Sequence, residues 1–242
     1  MIRTLLATAA ATAALAAGRI FLPAASILAS APTTTAQGAR PVVIELFQSQ
    51  GCSSCPPALS VLDQEANRPD VIALNFAVTY WDQLGWKDIY AKPEFTARQW
   101  DYAHASRRGN VATPQLIVAG RQAVLGSRKG EVDAAIAAAA RRDGPAIALA
   151  NGRITVGAGT IATPATVWLA DYDPRTVAVP IRAGENDGRT LPHRNIVKSL
   201  ATLGRWRGAP ATFTPPPPHP GWARAILVQS GKGGPILAGA KI

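Results

Sequence analysis

Cysteine is nearly absent from this chain of 242 residues, which has two, Cys52 and Cys55. That excludes a scaffold stapled by several disulfides and a zinc site built from four thiolates. Histidine is as scarce: His104, His193 and His219 all lie far from the cysteines in sequence, a poor basis for a four-ligand zinc site. A Cu(I) ion held by the two thiolates alone stays open. Acidic residues number 15 against 25 lysines and arginines, a net charge of +10. No basic stripe interleaves with aromatics, so the excess reads as solvated surface charge rather than nucleic-acid binding. It could still draw acidic partners or anionic membrane faces weakly towards the molecule. Beyond the N-terminal region no apolar run is long enough to cross a bilayer as a helix.

The N-terminus has the pattern of an exported chain. Arg3 precedes an Ala/Leu-rich stretch from Leu5 to Ala17, and Ala29-Ser30-Ala31 supplies a small-x-small cleavage pattern before Thr33. Residues 1–31 are expected to be a signal peptide and 32–40 a linker, with an uncleaved anchor as the alternative. A periplasmic or secreted protein in an oxidising space follows. The remaining length suits one large domain or two ordinary ones.

The two cysteines sit in Gly51-Cys52-Ser53-Ser54-Cys55-Pro56-Pro57. A disulfide closing so small a loop removes little denatured-state entropy, about 2 kcal/mol against about 4.7 kcal/mol for a loop of a hundred residues. Stabilisation is therefore a weak reason for the spacing, and redox chemistry a better one. One thiol can attack a partner disulfide while the other resolves the adduct from the same turn. An inert staple is the alternative.

Around this motif the chain reads as a βαβ unit. Pro41 to Phe47 is an apolar run of the kind buried on both faces; from Cys52 the signals turn helical, with Ser53 or Ser54 as a cap, Pro56 and Pro57 in the first turn, and Leu59, Leu62 and Ala66 on one face. Val71 to Val78 is a second buried strand. An aromatic loop follows, then a helix from Pro93 to Arg108, Thr113-Pro114-Gln115, the strand Leu116 to Val118, a turn at Gly120, Ala123 to Leu125, and a helix from Glu131 to Arg142. This order resembles thioredoxin, in which a cis-proline before the third core strand faces the disulfide.

The segments Val43 to Pro57, Tyr80-Trp81-Asp82-Gln83-Leu84-Gly85-Trp86-Lys87-Asp88, Thr113-Pro114-Gln115 and Gly184-Glu185-Asn186-Asp187-Gly188-Arg189-Thr190-Leu191 together resemble a family of secreted bacterial thioredoxin-like proteins known mainly as a domain of unknown function. The resemblance runs from about Pro41 to near the C-terminus. It implies a dithiol site and supplies no substrate. One departure is visible: where the family pattern has His and Asp just before the Tyr-Trp pair, this chain has Ala77 and Thr79.

These readings give roles. Cys52 is the nucleophile, expected to face solvent at the positive end of a helix, and Cys55 the resolving thiol. Glu45 is either a buried acid that accepts the resolving thiol's proton or a solvent-facing strand residue. Pro114 and Thr113 flank the disulfide and present backbone to a substrate chain. Tyr80, Trp81, Asp82, Trp86, Lys87 and Asp88 form an aromatic and charged cluster over or beside the cysteines, a gripping surface or a packed lid.

Beyond Gly144-Pro145 the texture changes to short alternating segments: Ala146 to Ala150, Arg153 to Val156, Ala165 to Ala170, Thr176 to Ile181, Asn195 to Leu203 and Ala225 to Gln229. The expected architecture is an α/β thioredoxin-like domain over 41–143 followed by a mainly β domain, sandwich or barrel, over 144–242. The expected function is thiol-disulfide exchange with a protein or small-molecule partner and no cofactor. The alternatives are a Cu(I) carrier and a non-catalytic binding module.

Overall fold

A computed structural model describes residues 40–140 and 143–242. The expected leader, 1–31, and nearly all of the linker lie outside the described residues. No helix among those described is long and apolar enough to cross a membrane.

The chain order is β1 (Val42–Gln48), α1 (Pro56–Ala66), β2 (Val71–Ala77), α2 (Pro93–Ala105), β3 (Gln115–Val118), β4 (Gln122–Leu125), α3 (Lys129–Ala139), β5 (Ile147–Ala150) and β6 (Arg153–Val156). There follow β7 (Ala165–Asp173), β8 (Val177–Pro180), β9 (Thr190–His193), β10 (Ile196–Trp206), β11 (Ala211–Phe213), β12 (Ala223–Ser230) and β13 (Ile236–Lys241). Eight strands form one mixed sheet in the order β13-β12-β7-β10-β2-β1-β3-β4. β1 and β2 run parallel, and β3 runs antiparallel to β1 with Phe47 opposite Gln115.

This sheet corrects the expected architecture. The protein is mostly β, and the expected thioredoxin-like α/β domain followed by a β sandwich or barrel is not what forms. Strands from both sides of residue 144 share the sheet, because β10 pairs in parallel with β2 where Ile196 meets Asn75. The physical reason lies in β2, whose seven residues are all buried. Such a strand cannot leave an edge of unpaired amides and carbonyls inside the protein, and β10 covers that edge. The junction is reinforced by Asn195, whose carbonyl accepts from Asn75 N (3.0 Å) and whose side-chain amide donates to Ala73 O (2.8 Å).

Apolar clusters fill both sides. Ile44 and Leu46 of β1 face α1 and α3, packing on Leu62, Val118 and Ile136. Val43 and Phe47, pointing the other way as strand alternation requires, join Phe76, Phe95 and Tyr102 with Val197 and Leu227 from the C-terminal strands. The sheet also curls back on itself. A Cβ on Gly239 of β13 would lie 2.6 Å from Val43 Cγ2, so only glycine admits that approach. The small sheet β11-β6-β5 covers the C-terminal strands, with Trp206 buried between. Among the described residues the hairpin of β8 and β9 pairs only within itself, and it holds a separate cluster of Val179, Ile181 and Leu191 against Trp86 and Tyr90.

Candidate functional site

The site begins where β1 ends. Gln48 closes the strand, and Ser49 to Cys55 turns into α1 through backbone bonds from Cys52 N to Ser49 O (3.2 Å) and Cys55 N to Cys52 O (3.1 Å). Cys52 and Cys55 are joined as a disulfide with their Cα atoms 5.4 Å apart. The helix starts later than the sequence suggests, at Pro56, with Cys55 in the capping position and no side-chain cap from Ser53 or Ser54. The Cys55 carbonyl accepts from Ala58 N and Leu59 N, while Pro56 and Pro57 occupy positions that need no donor. The disulfide therefore sits at the positive end of α1. Its exposure corrects the expectation of a solvent-facing nucleophile, since Cys52 and Cys55 are both 0% exposed.

The aromatic loop after β2 holds this turn from the side. Trp86 Nε1 donates to Gln50 Oε1 (2.9 Å), and Trp81 Nε1 donates to Thr113 Oγ1 (2.8 Å). Trp81 also flanks Gly51, on which a Cβ would stand 3.6 Å from Trp81 Cβ. It thereby ties the cysteine loop to the Thr113–Pro114 bond, which is cis. The β1–β3 register brings Pro114 level with Gln48, the last residue of β1 before the cysteine turn. Tyr80 turns towards α2, where its hydroxyl donates to Gln99 Oε1 (3.3 Å), and burial raises its phenol above the ordinary value.

Glu45 lies elsewhere. It is fully buried, on the face of β1 opposite α1, and its carboxylate accepts from Arg98 Nε (2.7 Å), Arg98 Nη2 (3.1 Å) and the Tyr102 hydroxyl. Arg98 Nη1 also donates to Gln229 Oε1 (3.1 Å), and Gln229 donates to Tyr102. Both carboxylate oxygens are engaged in this network, which joins β1, α2 and β12. The arrangement gives Glu45 a positioning duty in the core; its burial agrees with the expected buried acid and corrects the solvent-facing alternative.

Three more residues complete the site: Asp88, from the cluster expected beside the cysteines, and Asn186 and Glu185, to which the sequence reading gave no role. Asp88 is buried and accepts from Gln50 N (2.8 Å) and Tyr90 N (2.9 Å); burial pushes its pKa up to about 6. Asn186, at the tip between β8 and β9, donates to Gln50 O (2.8 Å) and Cys52 O (2.9 Å). Glu185 accepts from Ser53 N (3.1 Å) and Ser53 Oγ (2.7 Å), bonds that hold its carboxyl below the usual range. The sequence did carry a signal for the last two, since Gly184 to Leu191 is among the segments that resemble the family. Among the described residues no group of three or more His, Cys, Asp and Glu side chains is placed to hold a metal ion.

A buried disulfide at a helix start, enclosed by an aromatic loop and a distant hairpin on a mixed sheet, defines the class of site. The chain belongs to the family described as "Protein of unknown function (DUF1223)", whose model matches residues 43–229. It is similar to the crystal structure of protein AGR_C_4864 from Agrobacterium tumefaciens, with 30% identity and a TM-score of 0.69 over 86% of this chain and 96% of that one. HBP35 of Porphyromonas gingivalis shares the fold at 12% identity, with a TM-score of 0.58 over 84% of this chain and 75% of that one. No curated protein matches the chain.

Proposed function

We propose that the protein is a thiol-disulfide exchange protein working in an oxidising compartment outside the cytoplasm, with Cys52 and Cys55 as its redox pair. The observation that carries this reading is the disulfide at the N-terminus of α1. The helix dipole there favours negative charge, which lowers the cost of forming a thiolate when the pair is reduced. In the oxidised state a partner thiolate attacks Cys52 Sγ, the Cys52–Cys55 bond breaks, and Cys55 leaves with the electron pair and is protonated. The partner's second thiol then displaces Cys52, so the partner is oxidised and the protein reduced; the reverse sequence oxidises the protein. In this reading Thr113 and Pro114 present backbone to the partner chain, supported by the bond from Trp81 to Thr113, while Trp86 holds Gln50 of the cysteine loop.

The test is a trap. Cys55→Ser should accumulate a mixed disulfide between Cys52 and a partner in periplasmic extract, because attack survives and resolution does not. Cys52→Ser should accumulate none. Absence of adducts in both variants, combined with a disulfide that resists reduction across physiological potentials, would reduce the pair to a staple.

A further inference from the structure

The tip of the β8–β9 hairpin is bonded to the cysteine loop through side chains rather than through a sheet. Asn186 is fully buried, although it stands in a short 3-10 turn, Gly184–Asn186, at the end of a two-stranded ribbon. Its amide holds the carbonyls of Gln50 and Cys52, and its own oxygen accepts from Arg189 Nη1 (2.7 Å). Glu185 takes the Ser53 amide and hydroxyl. Two carbonyls and one N–H of the Gln50–Ser53 loop, backbone groups with which an incoming chain could pair, are thus occupied from a hairpin more than 130 residues away in sequence. Gly184, at φ +75°, brings the tip backbone against Trp86.

Away from its tip the same hairpin packs on Trp86 and Tyr90 and touches α1 through β9. Among the described residues its strands pair only with each other, and its buried cluster of three residues is separate from the large cores. Such an element can detach without opening the eight-stranded sheet. Because Cys52 is fully buried, attack on its sulfur requires some neighbouring element to move.

We propose that the Gly184–Asn186 tip is a cover over the disulfide, with Glu185 and Asn186 as its latch, and that it swings away before exchange. The regulatory meaning rests on the redox reading above, whereas the opening can be measured without any partner. Dithiothreitol supplies the probe reaction: its thiolate attacks Cys52 Sγ, the Cys52–Cys55 bond breaks, and Cys55 leaves with the electron pair and is protonated. The reagent's second thiol then displaces Cys52 and closes the oxidised ring.

The experiment follows the second-order rate of reduction of the oxidised full chain, read by alkylation and mass shift. E185A/N186D exchanges the two amide donors for a carboxylate facing two carbonyls and removes the Ser53 bonds; it should react at least tenfold faster than the parent. L169A, which weakens the distant core around Trp206, should react at the parent rate. A parent-like rate in E185A/N186D overturns the cover, as does equal acceleration in L169A, which would assign exposure to global unfolding. Should the double variant not fold, E185A alone must still accelerate reduction by at least twofold, and an unchanged rate overturns the proposal. A fast rate in E185A/N186D together with a failed Cys55→Ser trap would leave the cover standing and remove the redox reading.

Discussion

Glu45 and Arg98 meet in the interior as a two-pronged ion pair, with Nε–Oε1 at 2.7 Å and Nη2–Oε2 at 3.1 Å, and neither side chain is more than 6% exposed. The pair clamps β1, which leads to the cysteines, onto α2. Arg98 is further stacked near Trp168, its guanidinium carbon 5.4 Å from the ring centroid. Removing one partner of such a pair leaves an uncompensated buried charge, at a cost of about 3–5 kcal/mol. Glu45→Gln should lose that much stability in urea unfolding, and E45L/R98M should recover most of it. The midpoint of the dithiol redox titration should not move in either folded variant. A proton-accepting role for Glu45 would instead shift the pH dependence of exchange without a comparable loss of stability.

Two buried groups should oppose each other in acid. His193 is fully buried with no hydrogen-bond partner for either ring nitrogen among the described residues, and burial lowers its pKa to about 4. Between its ordinary value near 6.5 and that value the unfolded chain binds a proton the folded chain does not. Its contribution is therefore full above pH 6.5 and is lost as pH falls towards 4, about 3 kcal/mol in all. Asp88 has the opposite sign: its pKa is raised from 3.8 to about 6 by burial, so its contribution grows as pH falls from 6 to below 4, again by about 3 kcal/mol. Relative to the parent, His193→Leu should gain stability as pH is lowered from 6.5 to 4, and Asp88→Asn should lose it. Urea unfolding at half-unit pH steps measures both differences, and parallel curves for parent and variants would refute the assignment.

Trp81→Phe keeps an aromatic ring and deletes the N–H that reaches Thr113 Oγ1 at 2.8 Å. The expected loss is about 1 kcal/mol, the size of one hydrogen bond, with faster hydrogen exchange in the loop before β3. A loss above about 3 kcal/mol would place the role of Trp81 in ring packing instead.

Two glycines in the β12–β13 turn should respond differently to the same change. Gly231 and Gly233 both have left-handed backbones, at φ +67° and +65°. Nothing lies within 4 Å of a Cβ built on Gly231, whereas one on Gly233 would overlap the backbone carbonyl of Asp101 in α2. Gly231→Ala should cost about 1–2 kcal/mol through its backbone conformation alone. Gly233→Ala should cost clearly more, because the turn must leave α2; thermal unfolding of the two variants side by side decides it.

What could be read along the chain was whatever depends on near neighbours. The spacing of Cys52 and Cys55, with no other cysteine to compete, leaves one possible intramolecular disulfide, and Pro56-Pro57 announces the helix that follows. The apolar runs of β1 and β2 read as fully buried strands because each is buried along its whole length. The helices beginning near residues 93 and 130 were legible from composition and punctuation to within a few residues. Strand segments after residue 144 were legible singly, though β9 with its proline, β11 with three residues and β13 with its glycine did not stand out.

Only the tertiary structure decided which of these elements meet. A buried strand states that both its edges need partners but not who they are, so the pairing of β2 with β10 could not be read from either segment. The same holds for side chains. Glu45 in an apolar strand was equally compatible with solvent, with a sulfur or with a cation until α2 brought Arg98 against it. Asn186 and Glu185 carried ordinary turn chemistry until the hairpin folded over Gln50, Cys52 and Ser53. Local conformation follows from sterics and periodicity within a few residues. Long-range partnership follows from burying edges and charges that have no local solution.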